Sequence, residues 1–321
     1  MKILVTGGAG YIGSHVVLGL CNSGYEVVVL DDLSTGNQSS IDERAEFILG
    51  STHVKEDVDK ALNNIECVIH LAAFKAAGES MSKPMKYSQN NINGTISLLN
   101  SMIKKEIKYF IFSSTAAVYG NPKYLPIDEK HPLNPINFYG FTKLEIERIL
   151  EWYGNLIDLK FVNLRYFNAA GHDPSCKINH IEKDPQNLIP IVMEVASGKR
   201  GKVKIFGNDY KTKDGTGHRD YIHVTDLANA HIKSIEYLKN QSNVSLNLST
   251  GDCHSVLDII QMTKEISNQD ISYEFVERRD GDPDELYANS SMANNLLSWK
   301  PKYSTLRSII ETSWNVYSKN F

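Results

Sequence analysis

A glycine-rich turn near the start of the chain constrains the fold more than any other feature. Lys2–Val5 holds the apolar run Ile3, Leu4 and Val5, which reads as a buried parallel strand. It leads straight into Thr6, Gly7, Gly8, Ala9, Gly10, Tyr11, Ile12 and Gly13, and the pattern predicts a helix from Tyr11 to about Ser23. In such a unit one glycine makes the tight turn, one lets backbone N–H groups approach a pyrophosphate, and one lets the helix pack closely on the strand. The helix N-terminus carries roughly half a positive charge, so a phosphate belongs there. A second strand, Glu26–Leu30, ends in Asp31 and Asp32, about twenty residues past the glycines. A carboxylate at that point binds ribose hydroxyls and repels a 2′-phosphate. The stretch therefore predicts an NAD rather than an NADP site, with Gly7, Gly10, Tyr11, Ile12, Gly13, Asp31 and Asp32 at the cofactor.

The same alternation continues. Strands are expected at Ala45–Leu49, Cys67–Leu71 and Tyr109–Phe112, with helices at Lys55–Asn63 and from about Pro84 to Lys105. Apolar strands alternating with helices predict a Rossmann-type doubly wound parallel sheet, an α/β fold covered on both faces. Ligands of such sheets collect at the carboxyl ends of the strands. Asp31, Ala72 with Ala73, and Ser113–Thr115 all stand at such ends, so three separated segments converge on one crevice. The proline-bearing stretch Pro122–Asn137 must be a loop or lid, and a helix follows from about Phe138 to Tyr153. Tyr139, Lys143, Ile146, Leu150 and Tyr153 fall on one stripe of it. The stripe is otherwise apolar, and a lysine on a buried face needs a partner or a task.

Beyond the strand Leu159–Arg165 the composition turns polar from His172 to Gln186, which marks the start of a smaller C-terminal α/β substrate lobe. The pattern there predicts helices at Asn187–Ser197, Leu227–Lys239 (capped by Thr225 and Asp226), Val256–Ser267 and Leu306–Ser318. Strands are predicted at Lys202–Phe206, Leu246–Ser249 and Ser272–Glu277. Residues 1–168 thus read as the NAD-binding domain and 169–321 as the substrate lobe, with about 221–260 returning to the main domain.

Composition narrows the partners. With 34 basic residues against 38 acidic ones, there is no electrostatic case for nucleic acid or an anionic membrane surface. No stretch has the length of a membrane span, and Met1 leads directly into a strand, which makes a cytoplasmic location the expectation. Cys21, Cys67, Cys176 and Cys253 form no Cys-x-x-Cys pair, and the ten histidines show no ligand spacing, so no metal is expected.

Tyr139 and Lys143 lie one helical turn apart, so the ammonium can stand near the phenol oxygen. A free phenol, with a pKa of about 10, is a poor base near neutrality. A lysine cation and the positive ring of an oxidised nicotinamide would favour the phenolate.

The chain resembles the extended short-chain dehydrogenase/reductase family along nearly its whole length. The resemblance is carried by Gly7–Gly13, Asp31, Lys75–Ser80, Asn90–Gly94, Phe112–Gly120, Tyr139 with Lys143, Arg165–Asn168, Ile205–Tyr210, Arg219–Val224 and Arg278–Asp282. The lobe motifs are similar to those of UDP-hexose epimerases. The resemblance implies reversible inversion at C4 of a UDP-hexose by transient oxidation with tightly bound NAD. Tyr139 would be the base, Lys143 would hold the cofactor ribose, and Thr115 would bond the reacting oxygen from a position where the family usually has serine. It places Lys75, Asn90 and Tyr166 beside the cofactor. Asn168, Asn187, Leu188, Phe206, Arg219, Arg279 and Asp282 fall around the UDP-sugar. Leu286 lies beside the sugar 2-substituent, intermediate between the large and small residues of relatives, so UDP-N-acetylhexosamines are an alternative substrate. Gly50–Ser51 departs from a Gly-Asp pair that touches adenine in the family. A homodimer formed through the helix Pro84–Lys105 and the helix after Phe138 is also implied. A sugar dehydratase would need an acid and a base where this chain has Ala116 and Ala117. A decarboxylase or reductase, or a non-catalytic NAD-binding protein on the same fold, are the remaining alternatives, separable by whether NADH accumulates and whether the sugar is inverted.

Overall fold

The computed structural model describes residues 1–279 and 281–320, so Asp280 of the Arg278–Asp282 motif lies outside the described residues. In the first half the elements are β1 (Lys2–Thr6), α1 (Tyr11–Asn22), β2 (Glu26–Asp31), β3 (Glu46–Leu49), α2 (Lys55–Ala61), β4 (Cys67–His70), α3 (Ala77–Ser82), α4 (Pro84–Tyr87), α5 (Gly94–Lys104), β5 (Tyr109–Thr115), α6 (Phe138–Ile157) and β6 (Lys160–Tyr166). The second half continues with β7 (Asn168–Ala170), α7 (Leu188–Ala196), β8 (Val203–Phe206), β9 (His218–Arg219), β10 (Tyr221–His223), α8 (Val224–Asn240) and β11 (Val244–Leu248). It ends with β12 (His254–Ser255), α9 (Val256–Ser267), β13 (Tyr273–Val276), β14 (Glu285–Leu286), α10 (Ser291–Leu297) and α11 (Leu306–Tyr317).

Seven parallel strands form one sheet in the order β11-β6-β5-β4-β1-β2-β3. Because successive side chains alternate across a strand, Ile3 and Val5 enter one core with α1 and α8, while Leu4 enters the other with α5 and α6. Both faces are buried, which is why β1, β2 and β4 read as near-continuous apolar runs. Each fully buried Val, Leu or Ile contributes roughly 1.5–3 kcal/mol relative to exposure. The strand order reverses between β1 and β4, and a crevice opens there at the carboxyl ends.

The remaining strands form small sheets, β10-β7, β12-β9-β14 and β13-β8, around a third core drawn mainly from α7, α9 and α11. β11 and α8 belong to the main body: β11 is the seventh strand of the sheet, and α8 shares the core of α1.

Three local features differ from the sequence expectation. The helix expected over Pro84–Lys105 is interrupted by a π-turn at Ser88–Asn93, which separates α4 from α5. This widened turn holds the buried Asn91, whose amide bonds the Phe74 backbone in both directions (2.9 and 3.1 Å). α8 is capped by His223, whose Nδ1 accepts the Thr225 N–H at 3.1 Å, rather than by Thr225 or Asp226. The Asp226 carboxylate instead accepts the amides of Lys302 and Tyr303 and the Ser304 hydroxyl, fastening the C-terminal segment to α8. Finally, α3 and α10 are short helices whose six and seven residues hold too few turns for a periodic signal. No helix among the described residues is long and apolar enough to cross a membrane.

Candidate active site

The turn after β1 leaves no room for side chains. Gly7 has φ +73°, and a Cβ there would meet the Ala72 nitrogen at 2.6 Å; at Gly13 it would meet the Gly7 carbonyl oxygen at 2.0 Å. Gly10 caps α1 without a side chain, so the first-turn amides around Tyr11 and Ile12 have no side-chain acceptor. This cradle fits a pyrophosphate. Asp31 ends β2, nearly buried, with one carboxylate oxygen on the Ala9 amide and the other on the Leu33 amide, both at 2.9 Å. Each oxygen keeps a second lone pair for a ribose hydroxyl. Asp32 is exposed and accepts the Ser34 amide. Beside Ser51, where an acid is missing from the sequence, the Asp57 carboxylate of α2 accepts the Ser51 amide at 2.9 Å. A carboxylate is therefore present there, supplied by a residue that the sequence reading passed over.

A segment after β7 runs past the mouth of this cradle. The Tyr11 phenol donates to the Gly171 carbonyl, the Asp173 N–H donates to His15 Nε2 at 3.0 Å, Asn37 meets His180 at 3.1 Å, and Lys75 pairs with Glu182 at 3.0 Å. Tyr11 and Lys75, both expected at the cofactor, thus also hold residues 171–182. Asn90 lies half-buried in the π-turn with no side-chain hydrogen bond among the described residues.

The start of α6 carries the chemistry. Asn137 caps the helix by accepting the Gly140 amide at 2.8 Å, and Ser80 of α3 accepts the Tyr139 amide at 3.0 Å, which fixes where Tyr139 begins its turn. The Tyr139 phenol is hydrogen-bonded by Thr115, at the end of β5. Lys143 is 3 % exposed; its Nζ donates to the Ser113 carbonyl at 2.8 Å and lies 4.6 Å from the centre of the Phe112 ring. No hydrogen bond joins Lys143 to Tyr139 among the described residues. Tyr166 ends β6 beside them, bonded to Ser113 and close enough to Tyr139 to feel its charge.

In the protein alone, burial sets the electrostatics of the site. Burial pushes the Tyr139 phenol up to about 12, with only the Thr115 hydroxyl pulling the other way, and pushes the Lys143 ammonium down to about 7. In the protein alone, desolvation outweighs the lysine. The phenolate then needs a further positive charge at the site, which an oxidised nicotinamide would bring.

Across the crevice the lobe gathers a second set. Arg219 of β9 is mostly buried, donates to the His218 and Pro283 carbonyls, and lies 3.4 Å from Asp282. The Arg279 guanidinium stacks 3.7 Å over the Phe206 ring and makes no ion pair among the described residues. Leu286 in β14 pairs with Arg219 along the strand. The Asn168 amide donates to the Asp220 carbonyl at 2.8 Å, which leaves its side-chain oxygen to accept. Asn187 and Leu188 open α7, and the Asn187 side chain caps nothing. A cleft of about 800 Å³, lined by Lys211, Arg278 and Arg279 together with Glu277, Asp282 and Asp284, has the size of a nucleotide site and carries charges of both signs. The structure thus brings Phe206, Arg219, Arg279 and Asp282 together. Among the described residues, no group of three or more His, Cys, Asp or Glu is placed to hold a metal.

Known proteins are similar to this chain along nearly its whole length. Over 98% of this chain and 96% of its own length, a UDP-glucose 4-epimerase of Lactobacillus helveticus is 45% identical. The crystal structure of UDP-glucose 4-epimerase from Brucella ovis in complex with NAD superposes with a TM-score of 0.96 at 40% identity, covering 99% of this chain and 98% of that one. The enzyme from Bifidobacterium longum in complex with NAD+ and UDP superposes at 0.94 with 38% identity, covering 100% and 99%. Residues 3–249 match the NAD dependent epimerase/dehydratase family, and with its glycine cradle and the tyrosine and lysine one turn apart at the start of α6 the chain belongs to that family.

Proposed function

We propose that this protein is an NAD-dependent UDP-glucose 4-epimerase that interconverts UDP-glucose and UDP-galactose by transient oxidation at C4. The observation that carries this is a half-buried tyrosine, its phenol hydrogen-bonded by a threonine hydroxyl and one turn from a buried lysine, at the crevice between the glycine cradle and an arginine-bearing nucleotide cleft. Bound NAD supplies the hydride acceptor and the positive ring.

The chain's own residues do the rest. Tyr139 takes the proton of the sugar 4-hydroxyl, and Thr115 holds the same oxygen, so the proton moves along a preset path. Lys143 contributes a fixed positive charge on the cofactor ribose side. Arg219 and Arg279 grip the diphosphate through guanidinium forks, with Asp282 orienting Arg219. Phe206 packs against the base, and Asn168, Asn187 and Leu188 line the path between diphosphate and sugar. Because the nucleotide part supplies the anchoring, the hexose can turn over and take the hydride back on its other face without leaving. Residues 1–168 with about 221–260 serve the cofactor, and the rest of 169–321 serves the UDP-sugar. Purified protein incubated with UDP-galactose and no added cofactor is expected to form UDP-glucose with no accumulation of NADH; recovery of unchanged UDP-galactose with nicotinamide bound would refute the assignment. The same assay with UDP-N-acetylgalactosamine measures how far Leu286 admits a 2-acetamido group.

The outer face of α6 supports a second copy of the chain as partner. Phe141, Trp152 and Leu156 are exposed along it, at 39%, 66% and 70%, and Met81 and Met85 stand out nearby. Pairing α5 and α6 across a two-fold axis would cover them. Light scattering is expected to give a mass near twice the 36.1 kDa of one chain, and a mass of one chain would exclude this dimer.

A further inference from the structure

A buried ion pair lies directly behind the catalytic helix. Glu147 and Arg165 have side chains 1% and 4% exposed, and Arg165 Nε donates to both carboxylate oxygens at 3.0 and 3.1 Å. The Ser114 hydroxyl donates to the same carboxylate. Arg165 continues to the Tyr119 phenol at 3.0 Å, which donates to Asn247 at 2.6 Å. The pair therefore ties α6 to the ends of β5, β6 and β11. Burying such a pair is a poor way to gain stability, since well-packed apolar residues serve as well or better.

Its position suggests a task. Glu147 is one turn beyond Lys143 on α6. The Lys143 ammonium has the Ser113 carbonyl as its acceptor, and no carboxylate among the described residues forms an ion pair with it. The titratable groups around it are Tyr139 and Glu147 on its own helix, His70 on β4, Tyr166 on β6, and His231 on α8, which reaches Ser113 at 3.0 Å. His70 is held neutral, with Nδ1 accepting from Thr6 and Nε2 donating to Thr95. Among the described residues Glu147 is the anion acting on the lysine, and it opposes the burial that drives Lys143 toward its neutral form. At the same time its bond to Ser114 sets the strand end whose next residue, Thr115, holds the Tyr139 phenol.

We propose that Glu147, neutralised in part by Arg165, is a positioning residue that keeps the Lys143 ammonium charged and fixes the Ser113–Thr115 end of β5 against α6. The proposal rests on the epimerase reading above. Losing the carboxylate charge makes Lys143 give up its proton earlier as pH rises, so the alkaline limb of the kcat profile moves down.

The test compares holoenzymes of the parent, Glu147→Gln, Glu147→Asp and Glu147→Gln/Arg165→Gln across pH. The double variant leaves no lone buried charge and serves if the single one does not fold. Glu147→Gln is expected to move the alkaline limb down by about one pH unit, and the double variant, which also removes the opposing Arg165 charge, to move it down by less, with bound nicotinamide and KM unchanged in both; Glu147→Asp, which keeps the charge, should leave the limb near the parent's. A uniformly lower kcat with an unmoved limb in both glutamine variants would reduce Glu147 to a structural role and overturn the proposal. A parent that binds nicotinamide but inverts no sugar would instead overturn the epimerase reading.

Discussion

Replacing Tyr139 by phenylalanine is expected to lower kcat by about 10³-fold or more, roughly 4 kcal/mol of barrier, while leaving the amount of bound NAD and the KM for UDP-galactose within a factor of about three. The asymmetry follows from where the phenol oxygen sits. Its hydrogen-bond partner is the Thr115 hydroxyl, and the helix start around it is held by Ser80 and Asn137 through backbone amides that the substitution leaves intact. Phenylalanine therefore fills the same space and keeps the fold. Losing the oxygen removes the group that takes the 4-hydroxyl proton. Thr115 cannot replace it, because an alcohol has no accessible anionic form near neutrality. The measurement is kcat for UDP-galactose alongside the absorbance or enzymatic assay of released nicotinamide. Turnover at the parent rate would remove Tyr139 from the chemistry.

The same residues show how far a sequence can be read and where it stops. The glycine turn, the strand ends and the helical stripe holding Lys143 were legible because each is a local pattern: steric need for no Cβ, period two, or period 3.6. The burial of that stripe followed from its apolar neighbours, and the structure supplies Lys143 with the Ser113 carbonyl and the Phe112 ring. Ser80 under Tyr139, Asp57 beside Ser51, and Arg165 against Glu147 were not legible. Each joins residues that are 59, 6 and 18 positions apart through a side chain whose type is also common at solvated surface sites. The rise of the Tyr139 phenol in the protein alone was not legible for a related reason. A spacing of four places a lysine near the phenol, but how dry the site is depends on packing from β5, α6 and β6 together, and desolvation decides the sign. His223 as the cap of α8 was missed because its imidazole acts as an acceptor, a role that composition assigns first to Thr225 and Asp226.

Acidification should unfold this protein well before carboxylate titration alone would. His15, His70, His223 and His231 are buried, and burial pushes them down to about 4, 3, 3 and 4 from the ordinary 6.5. Each is locked in a neutral tautomer by its neighbours: His15 Nε2 accepts the Asp173 amide, His223 Nδ1 accepts the Thr225 amide, and His231 Nε2 accepts the Ser113 hydroxyl while its Nδ1 donates to Leu227. Protonation would turn an acceptor into a donor aimed at another donor. Between pH 6.5 and the folded values, the unfolded chain binds these protons and the native one does not, so stability is fully present above 6.5 and falls as pH falls. Each histidine loses about 1.4 kcal/mol per pH unit in that window. His172, also buried and pushed down to about 3, acts with them; Asp220, raised by burial to about 6, works against them together with Asp31 and Glu129, whose carboxyls burial also raises, because the native state takes a proton at these groups first. A net loss of about 4 kcal/mol per unit would exhaust a stability of about 5–10 kcal/mol, the lower part of the range typical of folded proteins, within about one to two and a half units, which places the unfolding midpoint between about pH 5.5 and 4. Far-ultraviolet circular dichroism and tryptophan emission should change together there, Trp299 being fully buried with its indole N–H on the Asp226 carbonyl. Retention of both native signals at pH 3.5 would mean that these imidazoles accept protons inside the fold, and the closed hydrogen-bond assignments given to them here would be wrong.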